Sequence, residues 1–183
     1  MKALKWIIGI LLFLGLAGYF GFQYMKSETK KISPEQTVKY NRTNLNMSVT
    51  YSRPYMKGRK IFGELVPYEE VWRTGANEPT TFTTDKKISF GEEMLEAGTY
   101  TIWVIPYTSQ WTIILNSKVY SWGVGFDGEP SREPEFDVLK INVPVRDLEK
   151  PVEQFTIKFE YDVNLSFAWE NTKVMVPILW GYE

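Results

Sequence analysis

Two stretches of this chain gather side chains able to do chemistry. In the first, Arg53, Lys57, Arg59 and Lys60 place four cations within eight residues. Guanidinium groups set this close can grasp a carboxylate or phosphate bidentately. The plainer reading is a solvated hairpin whose basic groups pair with Glu64, Glu69 or Glu70. In the second, Arg73 follows Trp72 and leads into Thr74-Gly75-Ala76-Asn77-Glu78. Asn77 and Glu78 can point polar groups into a cleft. Alternatively, Gly75 and Asn77 serve a tight turn that needs unusual backbone angles. An inward-facing Arg73 needs a partner carboxylate, and Glu78 and Glu170 are the candidates. Glu170 and Asn171 follow Trp169 at the end of an apolar alternation. Strand ends of a sandwich gather at two poles, so Arg73 and Glu170 are expected within ion-pair distance, with Asn77 lining the same pocket.

Aromatic and acidic residues add two weaker signals. Six of the seven tryptophans lie beyond residue 31. Trp111 and Trp169 share strand faces with Ile and Leu and read as core. Trp122, with Tyr120 and Phe126, has no such partners and is the better candidate for an aromatic platform on which a sugar ring could stack. Asp127, Glu129, Glu133, Glu135 and Asp137 crowd a turn-rich stretch. Their spacing does not fit the calcium loop of an EF-hand, so a solvent-exposed run is expected and no metal is assigned.

Composition limits the chemistry further. The chain has no His and no Cys, which removes a Ser-His-Asp triad, a thiol nucleophile, disulfides and the usual zinc ligand sets. No catalytic residue and no cofactor is assigned. Beyond residue 31 the chain carries 16 basic and 21 acidic residues, a net charge of −5. Such a domain lacks the basic face that nucleic acid demands.

The elements that must position these residues are of two kinds. Residues 6–25 contain no charged side chain. As a helix at about 1.5 Å per residue they span roughly 30 Å, a bilayer's hydrocarbon core. Trp6 lies at one end, and Tyr19 and Tyr24 toward the other, as interfacial rings do. A cleaved signal ending at Gly15-Leu16-Ala17 is the competing reading, but the apolar run continues past Tyr19, Phe20 and Phe22. The expectation is an uncleaved single-pass anchor in the inner membrane, with the amino terminus cytoplasmic and the following domain in the periplasm or outside. Residues 26–37 read as a polar stalk and 38–183 as one domain.

That domain is strand-patterned. Phe155, Ile157, Phe159 and Tyr161 alternate with Thr156, Lys158 and Glu160, which predicts a half-buried strand. Similar runs predict strands at 44–52, 61–66, 80–84, 98–105, 111–115, 139–143, 165–169 and 174–178. Val145–Leu148 is at most a helical turn. Short strands punctuated every 8–12 residues, with no crossover helix, predict an all-β antiparallel sandwich of about ten strands. A closed barrel is the alternative.

Several pieces of this domain resemble one known family. They are Ser52-Arg53-Pro54, Lys57-Gly58-Arg59, Phe62-Gly63, Leu65-Val66-Pro67-Tyr68, Val71-Trp72-Arg73-Thr74-Gly75-Ala76-Asn77-Glu78, Ala97-Gly98-Thr99-Tyr100 and Trp169-Glu170-Asn171-Thr172-Lys173. Together they resemble the bacterial DUF2911 proteins, Bacteroidetes-type and of unknown function, over roughly residues 45–178. Pro79 stands where that pattern has Ala. The resemblance implies an exported all-β domain and supplies no activity.

The sequence therefore reads as a non-enzymatic, membrane-tethered module for binding or envelope structure. Its ligand would be a glycan, a small anion or an envelope partner protein. The ligand-binding candidates are Arg53, Lys57, Arg59, Arg73, Asn77, Glu78, Trp122, Glu170 and Asn171. The alternative is a carboxylate-dependent glycan hydrolase, which requires two close carboxyls, one with a raised pKa.

Overall fold

The structure is a computed structural model that describes residues 2–42, 44–161 and 163–181. Helix α1 (Lys2–Ile32) is followed by β1 (Glu35–Arg42), β2 (Leu45–Ser52), β3 (Thr80–Thr84), β4 (Ile88–Phe90), β5 (Glu93–Leu95), β6 (Gly98–Pro106), β7 (Gln110–Asn116), β8 (Asp137–Glu160), β9 (Asn164–Val176) and β10 (Ile178–Leu179). The fold is all-β and antiparallel beyond α1. Seven strands form one sheet in the order β1-β2-β3-β6-β7-β8-β9, and β10-β4-β5 form a second, small sheet.

α1 is long and apolar enough to cross a membrane, with none of its most hydrophobic window buried against the domain. It runs through the polar segment as far as Ile32, and β1 already begins at Glu35. The segment 26–37, expected as a stalk, is thus mostly regular structure. The carboxyl end of the 38–183 domain, at Tyr182 and Glu183, lies outside the described residues.

The large sheet curls until the chain around and beyond β2 meets β8. Beyond β2, Met56 N–H donates to the Glu153 carbonyl at 2.7 Å and Phe155 N–H to that of Pro54 at 2.9 Å. Nearby, the buried Tyr51 hydroxyl donates to the Ile157 carbonyl at 3.1 Å and accepts its N–H at 2.9 Å. The core fills the curl. Phe155, Ile157, Phe167, Trp111 and Trp169 are all almost fully enclosed there. Each such side chain stabilises the fold by about 1.5–3 kcal/mol through the area it removes from water.

Several expectations change. The strands expected at 139–143 and 155–161 are one continuous β8, and Val145–Leu148 belongs to that strand and not to a helical turn. Register shifts against β9 on either side of Val152 let β8 bend, and Pro151, which has no N–H to give the ladder, sits in that irregular stretch. Tyr161 lies beyond the strand with φ +46°, exposed, and not on the buried face of Phe155 and Ile157. Residues 61–66 form turns closed by a single Phe62–Val66 bridge.

Candidate functional site

Trp72 decides how the second polar stretch is presented. Its main chain exchanges two hydrogen bonds with Val104 of β6, at 2.7 and 2.9 Å, making a one-residue strand. Its indole turns into the core, where it stacks on Trp169 with centroids 6.0 Å apart and donates to the Gly75 carbonyl at 3.1 Å. Extended backbone alternates sides, so Arg73 leaves the core. Its stem crosses Gly123 so closely that a Cβ there would meet Arg73 Cδ at 2.2 Å and the Asn77 carbonyl at 2.8 Å.

The turn after Arg73 is strained. Thr74, Gly75 and Asn77 have φ of +59°, +146° and +60°. A left-handed conformation is costly for a β-branched residue such as Thr74. The turn is held by Thr80, whose hydroxyl donates to the Thr74 carbonyl at 2.5 Å. The space beside Gly75 is also closed, since a Cβ would meet the Ser52 carbonyl at 2.8 Å. The unusual backbone angles expected of Gly75 and Asn77 are therefore present, and Asn77 is buried, its amide reaching Ser52 Oγ at 3.4 Å.

Arg73 borders a cavity of about 580 Å³, lined also by Val66, Glu70, Val124, Glu129 and Pro130. Its Nε is enclosed and has no hydrogen-bond partner. Among the described residues no carboxylate stands within 4.0 Å of its guanidinium. Burial alone lowers its pKa from the ordinary arginine value. An enclosed cation without a counter-ion is costly.

The expected Arg73–Glu170 ion pair does not form. Glu170, at φ +53°, turns its carboxylate to the Ile61 and Phe62 N–H groups at 3.4 and 3.3 Å. Asn171 donates to the Leu148 carbonyl at 2.8 Å. Glu78 does not pair with Arg73. Its Oε1 accepts Lys26 of α1 at 2.8 Å, with Lys30 at 3.6 Å. Burial pushes the Glu78 carboxyl up, but the Lys26 hydrogen bond and the charges of Lys26 and Lys30 outweigh it and hold it below the ordinary value.

The first basic stretch serves the fold. Arg53 donates from Nε to the Phe155 carbonyl at 3.1 Å and from Nη2 to Thr156 Oγ1 at 3.0 Å. Arg59 donates to the carbonyls of Met56 and Tyr55 at 2.9 and 2.7 Å. Lys60 meets Glu64 at 3.7 Å, and the exposed Lys57 occupies a turn with φ +50°. The acidic run is likewise absorbed locally. Asp137 takes Arg132 bidentately at 3.0 and 2.6 Å, Glu133 takes Lys118, and Asp127 accepts the Glu129 N–H at 3.0 Å.

Residues 33–178 match the family described as "Protein of unknown function (DUF2911)". The chain belongs to the DUF2911 family. Comparison with curated proteins and with solved structures gave no match. In this DUF2911 chain Arg73, Asn77, Trp72 and Gly123 come together, whereas Arg53, Arg59, Glu170 and Asn171 are held by other main-chain groups. Two contributors were not foreseen. Gly123 has no side chain to signal a contact, and its only mark in the sequence is its place next to Trp122. Lys26 precedes the matched region, and no spacing within the domain points to it.

Proposed function

We propose that this protein is a non-enzymatic binding module, tethered by α1 to a membrane with its domain outside, and that its ligand is a small anion held by Arg73. One observation carries the reading: a half-buried guanidinium with an enclosed, unpartnered Nε borders a cavity of about 580 Å³. The volume is that of a small-molecule site. A carboxylate or phosphate entering there would supply the missing counter-charge, and an acidic sugar is one form such a ligand can take. Glu70 and Glu129 on the rim would select against highly charged anions by repulsion. Among the described residues, the Glu78, Asp85 and Glu160 carboxyls lie below ordinary values, the direction opposite to that of a general acid.

Titration calorimetry of the full chain in detergent, at low ionic strength, tests this with phosphate, acetate and galacturonate. At least one should bind the wild type, and Arg73→Met should weaken it at least about 10-fold. Gly123→Ala, which displaces the Arg73 stem, should also weaken it. Arg73→Met should keep or raise the thermal midpoint, because it removes an uncompensated charge. Equal binding by wild type and Arg73→Met, or no binding of any of the three, would overturn the reading.

A further inference from the structure

A second concave surface lies where α1 meets the domain. It has a volume of about 650 Å³ and is lined by Phe22 and Met25 of α1 and by Val119, Trp122, Val124 and Phe126 of the loop before β8. The helix residues are the last turn of the charge-free run. The Trp122 ring meets Phe22 edge-on at 6.1 Å, and Lys26 Nζ lies 6.0 Å from its centroid and 3.4 Å from the Ser121 carbonyl. Trp122 is therefore fixed at the depth of Phe22–Lys26, the level at which the helix passes from acyl chains to headgroups.

The neighbouring turn points the same way. Gly128 N–H bonds the Gly125 carbonyl at 3.2 Å, and Gly125 N–H bonds that of Glu129 at 2.8 Å. Phe126 sits in this tight turn and is wholly exposed, at 116% of its reference area. Val119 is 57% exposed. Turn tips carry Gly, Pro, Asn, Asp and Ser for backbone reasons, and Phe126 answers none of them. The Asp127 carboxylate is drawn back onto the Glu129 N–H, which keeps it from following the ring outward.

We infer that Val119, Trp122 and Phe126 dip into the outer boundary of the bilayer that α1 crosses, a lipid acyl chain filling the groove against Phe22 and Met25. The occupant follows from continuity: the groove's other wall is the anchor itself. The inference rests on the reading of α1 as a retained anchor. The domain then lies against the membrane on its Trp122 side. Met94 of β5, 61% exposed and not part of the groove's lining, serves as the water-facing reference.

The chain has no cysteine, so single variants take one nitroxide label each. Phe13→Cys, Phe126→Cys and Met94→Cys of the full chain would be placed in phosphatidylcholine–phosphatidylglycerol vesicles. Accessibility to oxygen, which prefers lipid, is compared with accessibility to a water-soluble nickel chelate. Oxygen should dominate several-fold at positions 13 and 126, and the nickel chelate at position 94. Lipid-like behaviour at 13 with water-like behaviour at 126 would overturn the docking and leave the anchor standing. Water-like behaviour at 13 would bring down the anchor and the docking together.

Discussion

The indoles of Trp72 and Trp169 lie 6.0 Å apart with their planes within 19° of parallel. The charged residues that follow them, Arg73 and Glu170, part company. Arg73 goes to the loop at Gly123, and Glu170 to the turn at Ile61 and Phe62. The core thus pairs the aromatics and separates the charges.

Glu170→Ala should therefore destabilise the domain without touching the Arg73 cavity. It removes the acceptor for two main-chain N–H groups, a loss of about 1–3 kcal/mol. Glu170→Gln keeps one acceptor oxygen and should cost less. Urea midpoints of the two variants check the order, and anion binding by both should match wild type.

The Glu78 carboxyl gives a pH signature. Its folded pKa is lowered, after the upward push of burial, by Lys26 and Lys30. A lowered value means stability that is fully present above the unfolded pKa of about 4.5 and is lost as pH falls through the folded value. Glu78→Gln should remove that acid-dependent loss. Thermal midpoints between pH 3 and 6 decide it. If Glu78→Gln leaves the acid limb unchanged, the contact between α1 and the domain is not electrostatically fastened.

Ile157→Asp should cost about 3–5 kcal/mol, because the side chain is 1% exposed and the carboxylate would be enclosed without a partner. Thr156→Asp should cost much less, because its neighbour Arg53 Nη2 lies 3.0 Å from the replaced hydroxyl. Comparable denaturation midpoints would contradict the strand register.

The anchor should remain on the mature protein. Intact mass of material extracted from membranes should include residues 1–25. A mature amino terminus near Gly18 on soluble protein would contradict it.

Where one interaction dominates a segment, the sequence alone was legible. The charge-free run to Met25 marks a helix long and apolar enough to cross a membrane, because every backbone polar group can be satisfied within it. Period-two alternation marks β2 and β3 to within a residue, because one face of each must leave water, whereas β6 and β7, buried on both faces, are marked by apolar runs between turn residues. The turn of unusual backbone angles at Gly75 and Asn77 was visible because few residue types tolerate it. The short β4 and β5 carry too few residues for alternation to show. The joining of two runs into β8 was hidden by Pro144 and Pro151, which suggest breaks unless the neighbouring strands are known.

The candidate site divides the same way. Residue types alone identified Arg73, Asn77 and Glu78 as polar groups beside a strained turn. Their partners depended on direction in space. Which way Arg73 leaves the strand follows from Trp72 pairing with Val104. Why it lies where it does follows from Gly123, 50 residues away, having no Cβ. Why Glu78 meets Lys26 follows from α1 continuing past its charge-free run, as far as Ile32, beside the domain. Charge and turn propensity are properties of a residue and its neighbours, so they can be read along the chain. Ion pairs and cavities depend on which distant backbones are brought within a few ångströms, and only the curl of the sheet determined that.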